Sequence, residues 1–141
     1  MSSRFSTTVR VRYAETDKMG VVYHANYLIW FEIGRVELLR HLGFDYKQME
    51  LEDDCHLPVV EVSCRYRASA KYDDEVRIEP RVKLLRGSLL RFGYRAVRVA
   101  DDRLLAEAET THILCDQKMM KKPLPERYAA AIRASMESAS E

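Results

Sequence analysis

A chain of 141 residues with 47% hydrophobic and 32% charged residues suits one domain, expected to span residues 1–141, whose folding buries roughly two-thirds of the unfolded surface. The formal net charge of +1 gives no reason to expect nucleic acid or an anionic membrane as a partner. Neither end carries an apolar run of about 18 residues, and the opening MSSRFSTTVRVRY lacks the apolar stretch of a secretory signal. A cytoplasmic chain without integral membrane association is therefore expected. Cys55, Cys64 and Cys115 are odd in number and lack close metal-type spacing, so reduced packing thiols are expected, with no metal site.

Residues 7–13, TTVRVRY, alternate in part and predict a short first strand that ends in a polar turn over residues 14–20. From Asn26 to His41 the run NYLIWFEIGRVELLRH, with Gly43 as its stop, predicts a largely buried helix. Its interior Gly34 costs about 1 kcal/mol relative to alanine, so another backbone is expected close to that face, as in a sheet wrapped around the helix. Residues 44–57 show no clear period and predict a loop with at most a helical turn.

From Pro58 onward the period changes to two. Val60, Val62, Cys64 and Tyr66 alternate with Glu61, Ser63, Arg65 and Arg67, which predicts a half-buried strand. Val76, Ile78, Val82 and Leu84 repeat the pattern, with Pro80 marking a bulge or an edge position. Arg86-Gly87-Ser88 makes a turn, residues 89–99 a third long strand, Asp101-Asp102 another turn and residues 103–115 a fourth, so the four form an antiparallel meander. After Lys122-Pro123-Leu124-Pro125, ERYAAAIRASM predicts a terminal helix and SASE a frayed end. The sum is an α+β domain, one long helix on one curved antiparallel sheet. Long strands that leave an edge exposed favour edge-to-edge pairing of two chains, hence homo-oligomers.

The densest polar and aromatic group, Tyr13, Glu15, Asp17, Tyr23, His24, Asn26 and Tyr27, falls at the junction of first strand and helix. Asp17 lies too far ahead of the helix start to cap it, whereas Asn26 is a good N-cap residue. Unpaired backbone N–H groups at such a helix start, beside a glycine-bearing loop, make a ready oxyanion site for a carbonyl substrate, with a nearby carboxylate able to activate water or attack directly. The His24 side chain suits a general acid, a loop anchor or a satisfied histidine. His41, His56 and His112 are given no catalytic role. No nucleophile elbow, phosphate-binding glycine loop, HExxH or dinucleotide fingerprint is present.

The stretch from Tyr13 to Tyr27, YAETDKMGVVYHANY, closely resembles the active-site motif of hotdog-fold thioesterases of the 4-hydroxybenzoyl-CoA thioesterase and YbgC-like family. Lys71-Tyr72-Asp73-Asp74-Glu75, Arg86-Gly87-Ser88 and Lys122-Pro123-Leu124-Pro125 are similar to its later signposts. The resemblance implies a hotdog fold and hydrolysis of an acyl-CoA thioester to free acid and CoA, with no cofactor beyond the substrate's own CoA. It implies Asp17 as nucleophile or general base, the backbone N–H of His24 as oxyanion donor, and support from the His24 and Tyr13 side chains. It further implies a homodimer, assembling to a homotetramer, with sites between subunits. Arg86 and Ser88 then approach the CoA phosphates, with Arg91 a looser candidate, Tyr23 and Asn26 line the substrate site, and Ser69, where relatives usually carry proline, is expected to hold the attacking water from the partner subunit. Trp30, Phe31, Leu57 and Pro58 are expected to shape the acyl pocket. A non-catalytic acyl-CoA or acyl-carrier-protein binding protein of the same fold is the alternative, because fold does not establish reaction.

Overall fold

The computed structural model describes residues 5–140. Strand β1 covers Thr7–Arg10, shorter than expected, because the chain turns into a 3-10 turn over Tyr13–Glu15. Helix α1 spans Asn26–His41 as its apolar run predicts. Helix α2, Tyr46–Glu52, occupies the predicted loop; the Asp45 carboxylate caps it by accepting the Lys47 N–H at 2.8 Å. Then follow β2 (Val59–Tyr66), β3 (Glu75–Arg86), β4 (Leu89–Arg98), β5 (Arg103–Ile113) and α3 (Glu126–Ser140). Helix α3 carries Ser138-Ala139-Ser140 where a frayed end was expected, and Glu141 lies outside the described residues.

The sheet order is β1-β3-β4-β5-β2 with every pair antiparallel. Strands β3, β4 and β5 form the expected meander, but β2 does not precede β3 in it. Instead β2 crosses to the far edge and pairs with β5, Cys64 opposite Ala108. Residues 67–74 make that crossing over one end of the sheet, and hydrogen bonds from Arg67 and Ala68 N–H to Leu105 carbonyl hold its start. Alternation alone does not choose which neighbour a strand pairs with, and the bonds at this crossing make the choice.

Val76, Ile78, Pro80 and Val82 of β3 and Leu90, Phe92, Tyr94 and Ala96 of β4 are buried, and Tyr27, Trp30, Phe31, Leu38 and Leu39 of α1 pack into the same core. Phe31 stacks on Tyr94 with ring centroids 5.0 Å apart. Gly34 explains the close approach, although its neighbour is a side chain and not backbone: a Cβ there would stand 2.7 Å from Ile78 Cγ2. Pro80 occupies an edge position, since β1 pairs with β3 only as far as Ile78. The bulge lies beyond it, between Val82 and Leu84. Strand β2 departs most from expectation: all its residues but Cys64 are exposed, because among the described residues its apolar face meets the core only at Cys64 and at Tyr66, whose ring lies 5.4 Å from Tyr27.

A buried polar chain crosses the core. Arg35 Nη1 donates to the Tyr94 hydroxyl at 3.0 Å, which lies 2.7 Å from Thr110 Oγ1; Thr110 lies 2.8 Å from His112 Nε2, and His112 Nδ1 lies 2.9 Å from the Leu57 carbonyl. One donor direction satisfies every link, with Nδ1–H donating to Leu57 and Nε2 accepting, so the imidazole is neutral. Burial, with the Arg35 charge adding to it, outweighs the Leu57 bond and brings the His112 pKa down to about 4.

Gly34→Ala should lower stability by about 1–3 kcal/mol despite alanine's better helix propensity, because Ile78 must move; chemical denaturation measures it. His112 makes the fold acid-sensitive. The unfolded chain takes up its proton near the ordinary pKa of 6.5 and the folded chain only near 4, so this contribution is complete above 6.5 and lost as pH falls through that window. It amounts to about 3 kcal/mol. Unfolding curves of wild type and His112→Gln between pH 7.5 and 4.5 should show a shallower pH dependence in the variant.

Candidate active site

The junction between the 3-10 turn and α1 is a tight double loop. Thr16 bridges to Val22, Asp17 N–H donates to the Val21 carbonyl at 2.9 Å and Gly20 N–H to the Asp17 carbonyl at 3.0 Å. Gly20 has φ +80, a conformation that glycine adopts without a Cβ penalty. One Asp17 oxygen accepts the Met19 N–H at 2.8 Å, an Asx turn that orients the carboxylate. Among the described residues its other oxygen has no hydrogen bond, and the residue is exposed.

Beneath this loop lies Glu15, the group that sequence reasoning left without a role. It is 5% exposed. Its carboxylate accepts the Arg12 N–H at 2.8 Å and the Trp30 indole N–H at 3.0 Å, with the Arg12 guanidinium 3.5 Å away. Its carbonyl accepts the Tyr23 N–H at 2.9 Å and the Asn26 amide at 2.9 Å. Burial pushes this carboxyl up, but the bonds from Arg12 and Trp30 outweigh it and hold it below the usual carboxylate range. A polar residue eleven positions before a buried tryptophan-bearing helix gives no pattern for this; only the buried neighbour identifies it.

The turn Tyr23 to Tyr27 feeds α1. Its N-cap is Ala25, with no side-chain cap; Asn26 is the first helical residue and spends its amide on the Glu15 carbonyl, which corrects the expected capping role. Asn26 N–H donates to the Tyr23 carbonyl and Tyr27 N–H to the His24 carbonyl. The N–H groups of His24 and Ala25, by contrast, have no acceptor among the described residues. Such groups at a helix start carry the positive end of the helix dipole. The His24 ring lies between Tyr23, at 4.5 Å, and Tyr66, at 6.0 Å, and the Tyr66 hydroxyl donates to the His24 carbonyl at 3.0 Å.

The crossing segment supports the turn from the other side. Val22 N–H donates to the Ala70 carbonyl at 2.9 Å and Ala70 N–H to the Tyr27 hydroxyl at 3.0 Å. Ser69, exposed one residue earlier, therefore sits beside this chain's own turn, and its carbonyl accepts from Arg98 at 3.2 Å. Tyr13 is 78% exposed and sets its ring edge against Tyr72 at 5.7 Å.

Arg86 and Ser88 are not brought to this site within one chain. They flank Gly87, which has φ +58, in the turn between β3 and β4. The site lies at the end where β3 begins, and β3 has 12 residues, a span of roughly 36 Å at about 3.3 Å per residue. Arg91 lies on the outward face, donating to Thr111 Oγ1 at 3.2 Å. Trp30 and Phe31 are each 1% exposed and belong to the core, contrary to the expected pocket role. Among the described residues no group of three or more His, Cys, Asp or Glu is placed to hold a metal ion, and no helix is long and apolar enough to cross a membrane.

A long central helix held in a curved antiparallel sheet, with unpaired N–H groups at its head and a carboxylate turn before it, is the hotdog architecture, and the chain matches the Thioesterase-like superfamily over residues 11–132. It belongs to that family. Within it the chain is similar to the acyl-CoA thioester hydrolase YbgC of Escherichia coli O6:H1, 36% identical over 130 residues covering 92% of this chain and 96% of that one. It is also 35% identical over 131 residues to the putative acyl-CoA thioesterase YneP of Bacillus subtilis, covering 89% and 94%. Among solved structures, the hypothetical protein TT1821 from Thermus thermophilus superposes with a TM-score of 0.86 at 35% identity, covering 92% and 98%.

Glu15→Ala should destabilise the protein by about 1–3 kcal/mol through loss of charge-assisted bonds and an orphaned Trp30 N–H. Its effect should exceed that of Glu15→Gln, which keeps an acceptor for Trp30. Thermal melts of both variants at neutral pH measure the difference.

Proposed function

We propose that the protein is an acyl-CoA thioesterase, hydrolysing an acyl-CoA thioester to the free acid and CoA. The observation that carries this reading is the pair of N–H groups at His24 and Ala25 with no acceptor among the described residues, at the head of α1 just after the loop in which one Asp17 oxygen has no hydrogen bond. In the reaction the thioester carbonyl oxygen accepts from the His24 N–H as charge develops on it, and preorganised donors of this kind contribute about 2.7–4 kcal/mol each. Asp17 either takes a proton from the attacking water or attacks the carbonyl itself, giving a mixed anhydride that water opens. In both routes the C–S bond breaks, the sulfur leaves as the CoA thiol after gaining a proton, and the acid is released.

In this reading the exposed His24 imidazole and the Tyr13 hydroxyl support the site, Tyr23 and Asn26 shape the substrate side, and Ser69 holds water. Arg86 and Ser88, with Arg91 as a looser contact, bind the CoA phosphates. Their distance from Asp17 in one chain supports a site built between two subunits, in a homodimer that pairs further to a homotetramer. The reaction asks for no cofactor beyond the CoA of its substrate, and the cytoplasm is where we place it.

Asp17→Asn is the decisive variant. Asparagine keeps an oxygen for the Met19 N–H, so the Asx turn and the fold persist while the base or nucleophile is removed. Thiol release from a panel of acyl-CoA substrates should then fall by about 100-fold or more in kcat at an unchanged melting temperature. Cleavage by the variant at the native rate sinks the assignment of Asp17. Tight acyl-CoA binding by the native protein without thiol release over hours would favour a non-catalytic binding protein instead.

A further inference from the structure

The two N–H groups without an acceptor at the head of α1 each belong to a peptide plane whose other end is a bonded carbonyl. The His24 N–H shares its plane with the Tyr23 carbonyl, which accepts the Asn26 N–H at 2.9 Å. The Ala25 N–H shares its plane with the His24 carbonyl, which accepts the Tyr27 N–H at 3.3 Å and the Tyr66 hydroxyl at 3.0 Å. A peptide unit is planar and trans, so its N–H points opposite to its C=O. Whatever fixes the carbonyl therefore aims the donor.

The two planes are held differently. The bond on the Tyr23 carbonyl is of ordinary length, whereas the Tyr27 bond on the His24 carbonyl exceeds the usual N–H···O range. The next bond, from Leu28 N–H to the Ala25 carbonyl, is also long at 3.2 Å. The first turn of α1 is thus loosely closed at the plane that carries the Ala25 donor. The shorter tie on that plane comes from outside the helix, from the last residue of β2.

Tyr66 is fixed at both its ends. Its backbone pairs with Ala106 of β5, and the N–H groups of Arg67 and Ala68 that follow are bonded to the Leu105 carbonyl. Its ring meets Tyr27 edge-on at 5.4 Å and His24 edge-on at 6.0 Å. Tyr27 is itself buried, its hydroxyl accepting the Ala70 N–H at 3.0 Å. A ring already held by two others gives up little further rotamer freedom in making its hydrogen bond. Partial burial, with the Cys64 thiol beside it, pushes the phenol up to about 12, so it stays protonated and a donor through the neutral range.

We infer that Tyr66 is a positioning residue for the oxyanion site: its hydroxyl holds the His24–Ala25 peptide so that the Ala25 N–H stands as a second donor, next in the chain to that of His24. This deepens the thioesterase reading above and rests on it for its chemistry. A hydrogen bond onto the carbonyl also polarises the plane and makes its N–H the stronger donor. As the thioester carbonyl gathers negative charge, the Ala25 N–H meets it without reorienting. Tyr66 acts on the reaction only through the backbone.

Tyr66→Phe keeps the ring and both edge contacts and removes only the hydroxyl. In NMR relaxation of the unliganded protein, the Ala25 amide should be rigid in wild type, with an order parameter of about 0.85, and should fall toward about 0.6 in the variant. The amides of β4 and β5 and the melting temperature should stay unchanged. In steady-state thiol release the variant should lose about tenfold in kcat with KM within about twofold of wild type, because only transition-state charge is less well met. A tyrosine that served packing alone would lower the melting temperature and leave the Ala25 amide as rigid as before. An Ala25 amide already mobile in wild type, or equally rigid in both proteins, overturns the inference. So does a variant that matches an active wild type in kcat, which leaves the thioesterase reading standing. A wild type that releases no thiol from any acyl-CoA overturns that reading and the oxyanion role with it, while Ala25 relaxation still decides whether Tyr66 holds the peptide.

Discussion

The buried Glu15 carboxylate is the contact on which the rest of the candidate site depends. It is held below the core edge by the Trp30 indole and the Arg12 N–H, while its own carbonyl holds Tyr23 and Asn26. One residue thus joins the helix, the 3-10 turn and the site loop. Because a buried charge is tolerated only when its hydrogen bonds are complete, the loop has little freedom to depart from this arrangement. Directly after these ties, the His24 and Ala25 N–H groups have no acceptor among the described residues.

Hydrogen bonding divides sharply between the two ends of α1. At its C-terminus Leu42 and Gly43 N–H groups close onto helix carbonyls, and the helix is complete. At its N-terminus, neighbouring groups are tied by the crossing segment through Val22, Ala70 and Tyr27, yet the His24 and Ala25 donors have no acceptor among the described residues. Unsatisfied polar groups cost free energy unless water or a ligand meets them, and a preorganised site accepts that cost in exchange for binding developing charge. The exposed Asp17, anchored by only one of its oxygens, has the same character.

The sheet is likewise complete on one side and open on the other. The core face under α1 is packed, with Phe31, Phe92 and Tyr94 in ring contact and the Arg35 to Leu57 polar chain fully bonded. Strand β2 lies outside that cover. Its alternation of apolar and charged residues predicts half-burial, but among the described residues only Cys64 and Tyr66 on that face meet the core. Periodicity reports that a face is built to be buried, and it does not say by what.

The sequence by itself determined the fold class, since the change from a helical run at residues 26–41 to period two after Pro58 follows from backbone geometry that every short segment carries. It also located the loop of Asp17 and His24, because a glycine-bearing polar stretch ahead of an apolar helix is a local pattern. Only the tertiary structure decided that β2 sits beside β5, that Glu15 is the buried support, that Asn26 serves a carbonyl and not the helix cap, and that Arg86 and Ser88 stand at the far end of the sheet. Each of these depends on which distant backbone N–H or carbonyl a group meets. Backbone groups are chemically alike along the whole chain, so no residue type announces that choice before the chain is packed.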